Sequence, residues 1–405
     1  MVGLAMMGLS TVDSAGVAAI ASPGHAADAQ PPPDASWRAD LAVDGDDTNV
    51  RNAEAGIVLS RTAGPPARAA STGSQRAQGM LLTEPHELAE PADRFSVDVV
   101  ADRPAGSDVL IDVRGQQDDG SWSEWIPARP DAPGVLDAGA RTVQGRVMLL
   151  AGDGGTTPTL RSLEFTADLA PGVRLRLESG KSSYRVFATR EGLVGGTTAN
   201  GHVIRERDHF AALPSRRGLA PRGTGDYTVK VCADNDRCEW APVWDVGPWN
   251  TTDDHWNPSD LRESWRDLAQ GLPQAQAAFE DGYNGGRDQF GRRVVNPAGI
   301  DLADGMFWDG LRLRDNSWVT VSYLWTGSGP IATVRSYLIN VRNGPTSRNQ
   351  AVGLAAQHAQ LRVECVVAGQ RVAGSQGTTN QWLRIGPNRL VSAAHVATPP
   401  GIRRC

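Results

Sequence analysis

The sequence predicts a mainly β protein of several modules, and three observations carry that reading. The chain has 405 residues, too many for one ordinary domain. It holds 45 Gly and 26 Pro, which favours short strands joined by turns over long helices. Its apolar residues recur at every second position in several stretches, which is the period of a half-buried strand.

Composition also excludes some classes. A net charge of −6 argues against a general nucleic-acid binder. No stretch after the first thirty residues is apolar enough to span a bilayer, so a chain that does not cross the membrane and acts as a monomer is expected. The four cysteines, Cys232, Cys238, Cys365 and Cys405, allow three pairings. Their spacing favours Cys232 with Cys238, across a hairpin that turns at Asp234-Asn235-Asp236, and Cys365 with Cys405. A zinc site is the alternative, but no second close Cys or His pair stands at ligand spacing. Disulfides point to an oxidising compartment outside the cytoplasm. Residues 1–29 fit a signal peptide. Gly16 to Ala21 is small and apolar, and Ala27-Asp28-Ala29 offers a cleavage site. No basic residue precedes Arg38, so this segment reads as the inner part of a longer signal.

Residues 30–79 are rich in Pro, Ala, Gly and Asp without a period and read as low-complexity linker, Thr62 to Gln78 above all. Residues 80–172 read as a β-sandwich. Phe95, Val97 and Val99 alternate with polar residues, as do Val109, Ile111 and Val113. Val143 to Leu149 and Leu163 to Phe165 continue the pattern. Trp122 and Trp125 end a hairpin there. They could form a sugar platform, but core packing is the better expectation for a Trp pair in a sandwich.

Residues 180–326 are the most informative, with eight of the 12 Trp residues lying between Trp240 and Trp325. Val229 and Val231 mark one arm of a hairpin. The other arm ends at Asp245, where Gly247-Pro248 forces a turn. Thr251 to Val295 reads as a long insertion with helices at Ser259–Leu268 and Pro273–Asp281. Asp301 is placed to N-cap a helix that opens at Leu302.

Five elements in order carry a resemblance: Thr198-Ala199-Asn200-Gly201, Ala211-Ala212-Leu213-Pro214, Trp244-Asp245-Val246-Gly247-Pro248, Gly299-Ile300-Asp301-Leu302-Ala303 and Trp318 to Tyr323. This region resembles the RlpA and expansin families. The resemblance implies a six-stranded double-psi β-barrel with a helical insertion, acting on or holding peptidoglycan or another wall polysaccharide. RlpA-like proteins cleave the glycan, and three polar positions are implied for that chemistry. One is kept as Asp245, whereas His202 replaces a Glu and Leu213 replaces a His. Glycoside cleavage needs a carboxylic acid and a charge-stabilising partner, so Asp245 and Asp301 are the catalytic candidates. His202, Trp249, Trp256 and Trp382 are the ligand-binding candidates. Trp308 joins the aromatics that could stack on sugars, although core is the expectation for any one Trp. His202, His209 and His255 show no metal-ligand spacing, and no metal or cofactor is expected.

Residues 331–405 form a third unit after the hinge Thr326 to Pro330. Asn340-Val341-Arg342-Asn343-Gly344-Pro345, the strand Leu361 to Val367 and the run Trp382 to Ile385 resemble bacterial SH3 domains, which implies a small barrel that binds wall peptide. The unit carries nine arginines against the single acid Glu364 and would be drawn to anionic wall polymers. The sequence therefore predicts a secreted protein that binds peptidoglycan and remodels it. A non-catalytic expansin-like protein and an extracellular protein-binding inhibitor remain the alternatives.

Overall fold

The computed structural model describes residues 35–62, 76–169 and 182–405. The proposed signal peptide and most of the Thr62–Gln78 stretch lie outside them. The described chain is mainly β, as its turn-rich composition requires.

Strands begin earlier than the sequence indicated. Ser36–Arg38, Val50–Ala53 and Gly56–Leu59 fall inside the stretch read as linker, yet they join the first sheet. Their apolar residues are too few to show a period. Ser36–Arg38 and Gly56–Leu59 pair with Thr159–Leu169, Val50–Ala53 pairs with Gly56–Leu59, and Thr159–Leu169 itself pairs with His86–Asp102. The nine-stranded sheet curls over one core that includes Ile57, Leu59, Phe95, Ile111, Val147 and Phe165.

The second unit is a closed six-stranded barrel of β1 (Ser183–Arg190), β2 (Ala211–Leu213), β3 (Thr228–Cys232), β4 (Cys238–Val246), β5 (Ala298–Leu302) and β6 (Ser317–Tyr323). Its cyclic order is β2-β5-β1-β6-β3-β4 and back to β2. The pairs β1·β5 and β2·β4 are parallel, and the others antiparallel. Val186, Val229, Val243, Ile300, Val319 and Val321 fill the core.

The insertion between β4 and β5 holds the helix α1, Gln274–Asp281, begun at Pro273 and ended by Gly282 in the left-handed region (φ 69°). The expected helix at Ser259–Leu268 is absent. There the chain makes turns instead, because Arg262 points inward. Arg262 is fully buried, bonded to the equally buried Asp253 and to the carbonyl of Leu272, and Trp265 adopts a positive φ. Asp301 is not a cap either; it is a buried residue inside β5.

The third unit packs strands from Ile331 to Ala397 around Val334, Val341, Leu361, Leu383 and Val391. It is not a bead on a hinge. Its strand Ala351–Ala356 pairs in parallel with β4, Cys238 opposite Gly353. A β-carbon at Gly353 would lie 2.0 Å from the Cys238 carbonyl oxygen, so only glycine permits this approach. Arg362, one of the nine arginines, is buried here. It bonds Asp119 of the first sheet and the carbonyls of Leu324 and Gly329.

Both disulfides form as the spacing proposed, Cys232–Cys238 and Cys365–Cys405. The second closes 40 residues. Replacing Cys365 and Cys405 by Ser should lower unfolding free energy by about 4 kcal/mol, the chain-entropy value for such a loop. Denaturant midpoints of the two proteins measure this, and an unchanged midpoint contradicts it.

Candidate functional site

Barrel closure places three acids in one neighbourhood. Ala212 of β2 pairs with Asp245 of β4 on one side and Asp301 of β5 on the other, and Asp301 pairs with Thr189 of β1. Residues directly opposite one another share a face of a sheet. Glu191 follows two residues after Thr189, and its N–H bonds the Leu302 carbonyl. The acids therefore come from strand ends far apart in sequence. Glu191 and Asp245 are each 5% exposed, and Asp301 is 2% exposed.

Their partners differ. Asp245 Oδ1 accepts the N–H of Ala199 at 2.7 Å and of Val246 at 2.8 Å. Asp301 accepts the Thr189 hydroxyl. No N–H or hydroxyl reaches either carboxyl oxygen of Glu191. The group beside it is Asp245, another acceptor, so the two carboxyls can sit together only if one carries a proton. The neighbouring Arg190 is turned away, to Asp304 at 3.0 Å.

Electrostatics assign the proton. Burial, then the charge of Asp245 and its hydrogen bond, hold Glu191 well above the ordinary carboxylate range. Burial also raises Asp245, but Glu191 and the two backbone N–H groups pull it back down. Burial pushes Asp301 up to about 7 against the Thr189 hydroxyl. Both carboxyls are pushed up, Glu191 the further, so a proton shared by the pair favours Glu191. Two like groups whose surroundings push them to different extents are the arrangement from which acid and base roles are assigned.

The first sheet holds this site in place. Met80 and Met148 pack on Ala199 and Val246. The Thr48 hydroxyl bonds the Asn200 carbonyl at 2.9 Å. At Gly201 (φ 87°) a β-carbon would lie 2.3 Å from the Thr48 hydroxyl oxygen. The loop that bonds Asp245 is thus wedged between two units.

The other candidates fall elsewhere. The His202 imidazole meets Asp208 at 2.6 Å and lies against Trp244, whose side chain alternates with that of Asp245 along β4. Leu213 is core. His209 pairs with Glu239 and His255 with the Tyr323 hydroxyl, so the three histidines do not converge. Trp249, Trp256 and Trp382 are buried, with their N–H groups on Asn296, Glu124 and the Gln370 carbonyl. Burial leaves these rings packing the fold, not open to stack on a sugar. Trp308 is more exposed, but the Arg190 and Arg207 guanidiniums lie 4.8 and 4.9 Å from its ring centre. Trp125 is fully buried, with the Arg114 and Arg146 guanidiniums 4.3 and 4.5 Å from its ring centre.

Among the described residues, Asp44, Asp46 and Asp47 bring their oxygens within 4.8 Å of one another. Asp47 is already occupied by the N–H groups of Leu82 and Asp44. Sequence reasoning missed Glu191. Its only local signal is a carboxylate ending an alternating strand before Gly192.

Residues 182–322 match a family described as Domain of unknown function (DUF8814). The match runs almost from the first residue of β1 to the last of β6, so that family's unit is the barrel with its insertion. No curated protein and no solved structure matches the chain. No helix among the described residues is long and apolar enough to cross a membrane.

The raised Asp301 carboxyl has a signed consequence for stability. A carboxyl with a folded pKa of about 7, against an ordinary 3.8, takes up a proton on folding. Its contribution is complete below the ordinary value and is lost as pH rises towards the folded one. Asp301→Asn should therefore flatten the fall in stability between about pH 4 and 7. Other raised acids, such as Asp253 and Glu263, retain their share of the slope. Denaturant midpoints across that range test it, and parallel curves for the two proteins contradict it.

Proposed function

We propose that this is an extracellular protein that acts on wall polysaccharide, with Glu191 and Asp245 as a proton-sharing pair that cleaves a glycosidic bond. The observation that carries it is the clustering of three buried acids at one barrel end. Such a cluster opposes folding, and perturbed carboxyls gather where acid–base chemistry is done. The two disulfides suit an oxidising compartment. The five sequence elements shared with RlpA-like and expansin-like proteins supply the substrate class. The SH3-like unit, with arginines such as Arg335, Arg348, Arg371 and Arg404 on exposed positions, supplies attachment to the anionic wall.

The chemistry follows from the pairing. Glu191 gives its proton to the leaving glycosidic oxygen as the carbon–oxygen bond breaks, and the bond pair stays on that oxygen. The Asp245 carboxylate faces the positive charge that grows on the ring, and the pair recovers a proton from the attacking hydroxyl. Two-carboxylate hydrolases hold their acids about 5–9.5 Å apart, on opposite sides of the bond. A pair in hydrogen-bond contact works from one side. That favours attack by a hydroxyl already on the sugar over attack by a water on the far face.

A binding-only reading is favoured by one feature: His202 and Leu213 stand where the resemblance to lytic RlpA-like proteins implies Glu and His. Incubation of the pure protein with isolated sacculi, followed by mass analysis of released fragments, separates the two. Glu191→Gln and Asp245→Asn should each lower release on the order of 10²–10⁴-fold while the fold and wall binding persist. Release by the wild type no greater than by buffer would leave binding as the function. Wall binding itself should weaken with salt, since surface charges are screened over about 10 Å at 0.1 M. Binding that ignores salt would remove the arginines from that role.

A further inference from the structure

The seam between the first sheet and the barrel encloses a cavity of about 400 Å³ that the carboxylate cluster does not line. Seams between units are common places for small-molecule sites, and this volume is within their usual range. One wall is apolar, formed by Ile111, Pro127, Ala128 and the Trp125 ring. Arg146 from the sheet and Arg216 and Arg217 from the turn after β2 supply the charge.

These three guanidiniums are incompletely paired. Nη1 of Arg146, Nε of Arg216 and Nε of Arg217 are buried without an acceptor. Arg146 is 1% exposed and Arg217 9%. Asp112 takes two N–H groups of Arg146, at 2.9 and 2.7 Å. Asp254 takes Arg217 at 2.8 Å. Arg216 has only a long contact to Gln78, 3.5 Å, and no ion pair among the described residues. Three further acids line the cavity, Asp108, Asp131 and Glu263; Asp108 faces Arg103 at 3.9 Å, and Glu263 lies 3.8 Å from Arg217 Nε. Burial pushes the Glu263 carboxyl up to about 7, so near neutral pH it is only partly charged. Of the three guanidiniums, Arg146 and Arg217 each hold an ion pair, with Asp112 and Asp254, and Arg216 holds none among the described residues. An arginine without an ion pair beside an apolar wall suits a monoanion with an apolar body. The planar fork of arginine suits a carboxylate.

We infer that this cavity is a binding site for a small monocarboxylate, its carboxylate on Arg216 with Arg146 or Arg217 and its body against Ile111, Pro127 and Trp125. A free apolar acid and the carboxyl end of a short peptide share this chemistry. Benzoate and N-acetylalanine are probes for the two sources, and benzyl alcohol is the neutral control.

Calorimetric titration of the full chain tests the site. Saturable binding of benzoate or N-acetylalanine is expected, with none for benzyl alcohol, and the tighter of the two acids identifies the source. Arg216→Gln should weaken binding roughly tenfold or more, the loss of a charge-assisted pair. Arg216→Lys, which keeps the charge but loses the fork, should weaken it less. Glu263→Gln removes the competing carboxylate and should tighten binding, which keeps the test decisive if either Arg216 variant folds poorly. No saturable heat with either acid, equal affinity in Arg216→Gln, or unchanged or weaker affinity in Glu263→Gln would each overturn the assignment.

Discussion

Glu124, on a loop of the first sheet, accepts three hydrogen bonds from two other parts of the chain. The Trp256 and Asn257 side chains reach it from the insertion, at 2.5 and 2.7 Å, and Trp325 reaches it from the end of the barrel at 2.8 Å. Beside it, Trp125 gives its ring N–H to the Leu219 carbonyl, and Tyr227 gives its hydroxyl to the Ser123 carbonyl. Arg114 bridges Gln144 and Asp226 across the same seam. Polar groups removed from water need partners, and here each unit supplies the other's. The sheet is therefore part of the barrel's core structure and not an accessory hung from it. Because that seam is fixed, Met80, Met148 and Thr48 can press the Thr198–Gly201 loop onto Asp245.

How much was legible in the sequence varies with the range of the forces involved. The alternating strands, the Cys232–Cys238 hairpin and α1 with its Pro273 start and Gly282 stop are set by local geometry, and they were readable. Asp245 became a candidate through the resemblance carried by Trp244 to Pro248, and the Gly247-Pro248 turn placed it at a strand end. Glu191 was not, because its neighbours arrive only when the barrel closes: β1 pairs with β5 across more than a hundred residues. The Trp residues illustrate the same limit. Their number suggested a binding surface, but Trp256 is fixed by the position of Glu124, which lies in another unit. The failed helix at Ser259–Leu268 has a like cause. A local period was overridden by the buried Arg262–Asp253 pair, which forms only in the folded insertion.

The two ends of this protein's polar interior also differ in kind. Around Glu124 at the seam, the polar groups find partners across the two units. At the barrel end, Glu191 is left with only another carboxyl to face, a costly arrangement that the rest of the fold must hold in place. A stabilising network and a destabilised acid pair are complementary parts of one design, since the second could not persist without the first.

The strand β4 runs through both halves of the molecule. Its first residues lie in register with Gly353–Ala355 of the arginine-rich unit, and its last residues carry Asp245. A displacement of the arginine-rich unit therefore passes through paired strands into the backbone that carries Asp245, with no slack linker between to absorb it. Mechanically, the chain is a strut rather than a tether: the two units shift together or not at all.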